Sequence, residues 1–147
     1  MAEQAAPPDH EFVYRISPEA EWRHAQAAGR FVGSDFDRQS GFIHLSTADQ
    51  VGGTVLMFFA GRDDLMLLQI RAHTLGARLV YEPVPDLGLF PHLYCLAPPT
   101  DPSASRRSEE AGEEEGVSGM ALSAVVQAVK LPLKDGVHML PSFLSAS

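Results

Sequence analysis

The stretch Gly41-Phe42-Ile43-His44-Leu45-Ser46-Thr47-Ala48-Asp49-Gln50 changes its period halfway, and this constrains the fold more than any other feature of the chain. Side chains alternate between faces in a strand, so Ile43 and Leu45 face one way while Phe42, His44 and Ser46 face the other. Ser46 with Asp49 three residues on resembles a capping box, with Thr47 a competing N-cap, and the apolar run Val51 to Phe59 is the helix it opens. A strand must therefore run straight into a helix. An imidazole and a hydroxyl share one face at the junction, beside a helix N-terminus whose unpaired N–H groups suit an anion.

The elements on either side are short and mixed. Phe12 to Ile16 alternates as a strand, with Phe12, Tyr14 and Ile16 on one face and Arg15 on the other. Ser17-Pro18 starts a helix over Pro18 to Ala28, which Gly29 can stop in a left-handed conformation. Gly33 to Gly41 is rich in turn-formers and reads as a surface connection. Leu65 to Ile70 is a continuous apolar run of strand length, expected to be central and buried on both faces. Arg78 to Glu82 is a further strand ended by Pro83 and Pro85, and Phe90 to Cys95 another, with His92 and Tyr94 on a common face. Met120 to Ala124 suggests a short helical turn and Val125 to Leu131 a late strand. Asp135-Gly136 marks a hairpin that returns Val137 to Leu140 beside that strand.

A chain of 147 residues with a 45% hydrophobic share is most simply one domain able to bury a core unaided. We expect a disordered tail over residues 1–10, a globular domain over 11–147, and a mobile acidic insertion at about 98–119, where Glu109, Glu110, Glu113, Glu114 and Glu115 crowd together. With Cys95 as the single cysteine no internal disulfide can form. The N-terminal residues lack a signal's cationic and apolar regions, and no stretch approaches the roughly 18 apolar residues of a membrane span. These features point to a soluble, cytoplasmic protein. The formal net charge of −8 opposes nonspecific attraction to phosphate backbones, so DNA is not an expected partner. A small anionic ligand or an RNA end stays open.

Three groups are candidates for chemistry: His44 with Ser46, Thr47 and Gln50; Glu82 at a strand end; and His92 with Tyr94. Each has a plainer alternative. His44 suits a half-buried histidine bonded to a backbone carbonyl, Ser46 and Thr47 suit helix caps, and Gln50 suits a solvated position. Glu82 could act as a base, bind ribose hydroxyls or lie exposed. His92 and Tyr94 could pack on the core, and Arg15 could pair with a phosphate or form a surface salt bridge. His44, Glu82 and His92 lack compact metal-ligand spacing, so no metal is expected. There is no G-x-x-x-x-G-K-S/T loop, no G-x-G-x-x-G after a strand, and no aromatic-and-basic platform for nucleic acid.

Several pieces resemble domain-of-unknown-function family 952: Gly33-Ser34 with Asp37, Gly41 to Thr47 with Gln50, Tyr81-Glu82-Pro83, Phe90-Pro91-His92-Leu93-Tyr94, and Ala124-Val125-Val126. That family looks similar to the ADP-ribosyltransferase superfamily and to RNA 2′-phosphotransferases. The resemblance implies an α+β fold, a small split barrel of mostly antiparallel strands with two main helices, holding NAD in a cleft. His44 would correspond to a ribose-binding histidine. Transferases of this kind often carry a catalytic glutamate on a late strand, whereas Val125 to Leu131 contains Gln127 and no acid.

The combined expectation is a cleft for NAD or a related nucleotide, supporting ADP-ribosyl or RNA 2′-phosphate transfer. His44, Glu82 and His92 are the catalytic candidates, and Arg15, Ser46, Thr47, Gln50 and Tyr94 the cofactor-binding ones. The alternative is a non-catalytic module that binds a small ligand or a partner. Oligomeric state is not legible in the sequence.

Overall fold

The computed structural model describes residues 10–96 and 119–146. The expected tail over 1–10, apart from His10, and the acidic insertion, apart from Gly119, lie outside the described residues. Strand β1 (Phe12–Pro18) leads into helix α1 (Glu19–Ala28), then β2 (Arg30–Phe31), α2 (Asp35–Ser40), β3 (Ile43–His44) and α3 (Ala48–Phe58). The chain continues through β4 (Leu65–Arg71), a 3₁₀ segment over Ala72–Arg78, β5 (Leu79–Val84) and β6 (Gly88–Leu93). After the undescribed segment come β7 (Met120–Ala121), a 3₁₀ turn, β8 (Val125–Lys130), β9 (Leu133–Lys134), β10 (Val137–His138) and α4 (Phe143–Ala146).

The strands form two three-stranded sheets, ordered β1-β4-β8 and β3-β6-β5, and two short ribbons, β2-β7 and β9-β10. All pairings among the described residues are antiparallel. The fold is thus a mixed α and β architecture of antiparallel sheets with few helices, and no described helix is long and apolar enough to cross a membrane.

The apolar run Leu65 to Ile70 lies in β4, the middle strand of its sheet, as its composition predicts, and it feeds a cluster on each face. Leu68 and Ile70 pack with Val13, Ala25, Phe31, Ile43, Leu45 and Leu93. Leu65 and Leu67 pack with Tyr14, Ile16, Val51, Val55 and Leu131. A sheet covered on both sides explains why Arg15, on the Val13 face of β1, is buried rather than at the surface. The one polar residue in the run, Gln69, is buried and satisfied. It donates through Nε2 to the Tyr14 hydroxyl (3.1 Å) and accepts through Oε1 from Gln127 Nε2 (2.8 Å).

The segment predicted to turn from strand to helix does so, and it also joins the two sheets. Ile43 and Leu45 face the core, and the Leu45 N–H donates to the Pro91 carbonyl (3.1 Å) on β6. One residue later, the Ser46 N–H and C=O both pair with Tyr14 of β1 (2.8 Å each). Three expectations need correction. The Asp135-Gly136 turn returns Val137–His138 beside β9 and not beside the late strand, because a two-residue turn pairs the residues that flank it, here Lys134 with Val137. The stretch from Gly33 to Gly41 contains α2, opened by a Ser34–Asp37 capping box and closed by Gly41 in the left-handed region at φ 91°. Its face lacks the apolar period by which a helix is read from sequence, because the side chain it buries is Asp37. Strand β5 also continues through Pro83 to Val84, pairing with Leu89 and Gly88. It can do so because β5 is an edge strand, where a missing N–H leaves no ladder bond unmade.

The two-sided sheet makes the cost of truncation position-dependent. Leu67→Ala, at a fully buried site, should lose about 2–5 kcal/mol in urea denaturation. Leu56→Ala, on a helical side chain 75% exposed, should stay within about 0.5 kcal/mol of the parent.

Candidate functional site

Asp37 is the anchor of the site, and its side chain is 1% exposed. Each carboxylate oxygen accepts from three donors. Oδ1 takes Arg15 Nη1 (3.0 Å), the His44 backbone N–H (2.9 Å) and His44 Nδ1 (2.7 Å). Oδ2 takes Arg15 Nη2 (2.7 Å), the Ser34 backbone N–H (2.7 Å) and the Ser34 hydroxyl (2.9 Å). Gly33 permits this closeness, since a Cβ there would lie 2.5 Å from Asp37 Oδ2, and its φ of +77° is itself left-handed. Burial pushes the carboxyl toward its neutral form. The His44 hydrogen bond, the charge and hydrogen bonds of Arg15 and the Ser34 N–H outweigh burial and hold the group well below the usual carboxylate range.

Arg15 uses all five of its N–H donors inside the protein. Two reach Asp37, two reach Glu21 (Nε 3.0 Å, Nη2 2.9 Å), and one reaches the His44 carbonyl (3.1 Å). Burial disfavours the charged guanidinium, but Glu21 and Asp37 over-compensate and raise its pKa. Arg15 is therefore neither the surface ion pair nor the uncommitted phosphate donor that its sequence allowed.

His44 lies directly opposite His92 in the β3–β6 pairing. Because Leu45 donates to Pro91 in the next register step, the two histidines form a non-hydrogen-bonded pair, the kind whose side chains approach more closely. Their rings are 5.5 Å apart, edge to face. Phe42 stacks on His92 at 4.1 Å and Phe36 on His44 at 4.5 Å.

His92 has a carboxylate of its own. Its Nδ1 lies 2.6 Å from Glu82 Oε1, which also accepts from the Tyr94 hydroxyl at 2.6 Å. Tyr94 and then His92 lower the Glu82 pKa, while the same bond to Glu82 helps push Tyr94 up to about 12. Burial lowers His92, opposed in part by Glu82.

A cavity of about 610 Å³ opens over the two histidines. Its floor includes Arg15, Asp37 and Ser46, and its walls carry Phe36, Phe42, Phe58, Phe59 and Phe90. Arg62 sits at one side, paired with Asp64. Of the residues singled out from sequence, His44, His92, Arg15 and Ser46 line this cavity. Glu82 and Tyr94 stand behind His92.

Thr47 and Gln50 are engaged elsewhere. Thr47, not Ser46, is the N-cap of α3, and its N–H donates to Gln50 Oε1 (2.9 Å). Thr47 Oγ1 donates to Asp49 (2.6 Å), and Gln50 Nε2 donates to the Leu89 carbonyl (2.6 Å), fastening helix to hairpin. Gln127 is bonded to Gln69 in the other sheet. Among the described residues no three His, Cys, Asp or Glu side chains are placed to hold a metal ion together. Asp37 and Glu21 were missed as site residues. Ser34-x-x-Asp37 carries a capping-box signal that marks Asp37, whereas nothing in the sequence marks Glu21.

The folded state lowers the Asp37 pKa, which fixes the sign of its linkage. Its contribution is fully present above the unfolded value of about 3.9 and is lost as pH falls through the lower folded value. Asp37→Asn should cost about 3–5 kcal/mol at pH 7, because Arg15 and His44 lose the carboxylate they share, and should flatten the acid limb of stability. Urea denaturation from pH 7 down to pH 2 measures both effects.

The comparisons with known proteins bear on the fold and the family. In the crystal structure of protein CC0527 from Caulobacter crescentus, a chain 33% identical superposes with a TM-score of 0.70, covering 91% of this chain and 98% of that one. The solution structure of the same protein gives a TM-score of 0.68 at 33% identity, covering 93% and 99%. No functionally curated protein matches. Residues 16–104, which hold Asp37, both histidines and Glu82, match the family described as protein of unknown function (DUF952), and the chain belongs to that family.

Proposed function

We propose that the cleft binds NAD or a closely related nucleotide through its heteroaromatic ring, and that the protein is a transferase acting at the glycosidic bond of that ligand. One observation carries this reading. The cavity is walled by phenylalanines, and the charged groups at and just behind its lining, Glu21 and Asp37 against Arg15, Arg62 against Asp64, and Glu82 behind His92, sum to a negative charge. A flat ring bearing positive charge suits such a site, since aromatic faces and nearby carboxylates both attract a cation. His44, held by Asp37 beside the cavity, is the group placed to hydrogen-bond a ribose hydroxyl.

The same electrostatics favour glycosidic chemistry over transfer of an RNA 2′-phosphate. A phosphomonoester would meet carboxylates, an Arg15 whose donors are all taken, and an Arg62 already paired with Asp64. A second reading, a binding module without turnover, draws on the apolar rim, where Phe36 and Phe58 are 64% and 63% exposed.

Calorimetric titration with oxidised and reduced NAD tests whether the cleft takes a cationic nucleotide ring. The oxidised form, with its cationic ring, should bind roughly 3- to 30-fold more tightly than the neutral reduced form, the range expected for a cation over aromatic rings. His44→Gln should weaken the oxidised form at least about tenfold. Equal affinity for the two forms, or no heat with either, would contradict the proposal.

A further inference from the structure

We propose that His92 is the general base of this cleft: its Nε2 takes the proton of an acceptor hydroxyl as that oxygen attacks the ribose carbon of the bound ligand. The inference rests on the cleft holding an N-glycosylated heteroaromatic cation. It adds the group that activates the acceptor and names the acceptor class as water or a small alcohol.

The geometry of the two histidines divides their roles. Both rings present Nδ1 to a carboxylate, at 2.7 Å for His44 and 2.6 Å for His92. An ionised carboxylate can only accept, so Nδ1 carries the proton in each and Nε2 is the other ring nitrogen. The carboxylates differ in what else they hold. Asp37 is already offset by the Arg15 guanidinium, and Arg15 in turn by Glu21. Among the described residues Glu82 receives only the neutral Tyr94 hydroxyl besides His92, so its charge remains to stabilise a proton arriving on the His92 ring.

The resting state of His92 points the same way. Its side chain is 9% exposed and stacked on Phe42, so burial favours the neutral imidazole, which has a lone pair to offer. The nearby His44 ring adds to this whenever it is charged. The groups facing His92 are Glu82 on β5, Tyr94 just after β6, and His44 on β3 with Asp37 and Arg15 behind it.

The step balances without a further reactant. The acceptor O–H proton passes to His92 Nε2 and the oxygen forms a bond to the ribose carbon. The bond from that carbon to the ring nitrogen breaks, and its electron pair returns to the ring, which leaves neutral. The imidazolium then releases its proton to solvent.

The test combines calorimetry with NMR detection of released nicotinamide, using the full chain and NAD. His92→Gln should keep NAD affinity within about threefold while slowing nicotinamide release at least about 100-fold. Glu82→Gln should retain the Nδ1 contact without the charge, lower the His92 pKa, and move the acidic limb of the rate profile to lower pH. Release at the parent rate by His92→Gln with NAD bound would overturn the assignment. If NAD does not bind at all, the reading of the cleft fails and the base assignment with it, whereas the ¹⁵N shifts of His92 in the free protein test separately the tautomer and the Glu82 coupling that the assignment requires. A proton on Nδ1 and a downward shift of its titration in Glu82→Gln support the base, whereas a proton on Nε2 or no shift overturns it.

Discussion

The contact between Arg15 and Asp37 is the interaction on which the rest of the site depends. Two charges taken out of water are costly, and their attraction compensates only if every remaining donor and lone pair is satisfied. Here they are: three donors meet each Asp37 oxygen, and all five Arg15 N–H groups find acceptors. The pair thereby ties four places in the chain together. Arg15 belongs to β1, Glu21 to α1, Asp37 with its Ser34 cap to α2, and His44 to β3. Because one carboxylate oxygen accepts both the backbone N–H and the ring Nδ1 of His44, the imidazole orientation is set by the same bonds that hold these elements together.

The second carboxylate–imidazole pair is built differently, and the contrast gives the cleft its character. Glu82 and His92 lie on neighbouring strands of one hairpin, and the Glu82 side chain is 34% exposed. Among the described residues it has no guanidinium partner. One dyad is therefore charge-compensated and rigid, and the other keeps its negative charge beside a buried ring. The cavity over them is lined mainly by aromatic side chains, and its two arginines, Arg15 and Arg62, are each paired with carboxylates. The proposal of a flat, electron-poor ligand rests on this combination.

Much of this was legible in the sequence, for reasons that can be named. Period two over Ile43 to Leu45 placed His44 away from the core, and the apolar run Leu65 to Ile70 identified the middle strand. Alternation through Phe90 to Cys95 put His92 and Tyr94 together, and both meet Glu82. Asp35 and Gly41 offered a turn, and the polar composition of the segment hid α2, because the buried member of that helix is a charged residue. Arg15 looked like a surface residue for the same reason. Patterns of apolar residues report which faces are buried against hydrocarbon, but a buried ion pair leaves no such trace, since its partners are far apart in sequence. Gly33 was visible as a turn-former, yet its close approach to the Asp37 carboxylate could be seen only in three dimensions.

The most direct test of this account is a double-mutant cycle on Arg15→Ala and Asp37→Ala, with stability read by urea denaturation and the His44 ring followed by NMR. If the pair is the frame of the site, each single substitution costs about 3–5 kcal/mol. The double substitution then costs little more than either alone, with a coupling of at least about 2 kcal/mol, and the His44 resonances shift in every variant. Additive losses, with His44 resonances unchanged in the single variants, would contradict it.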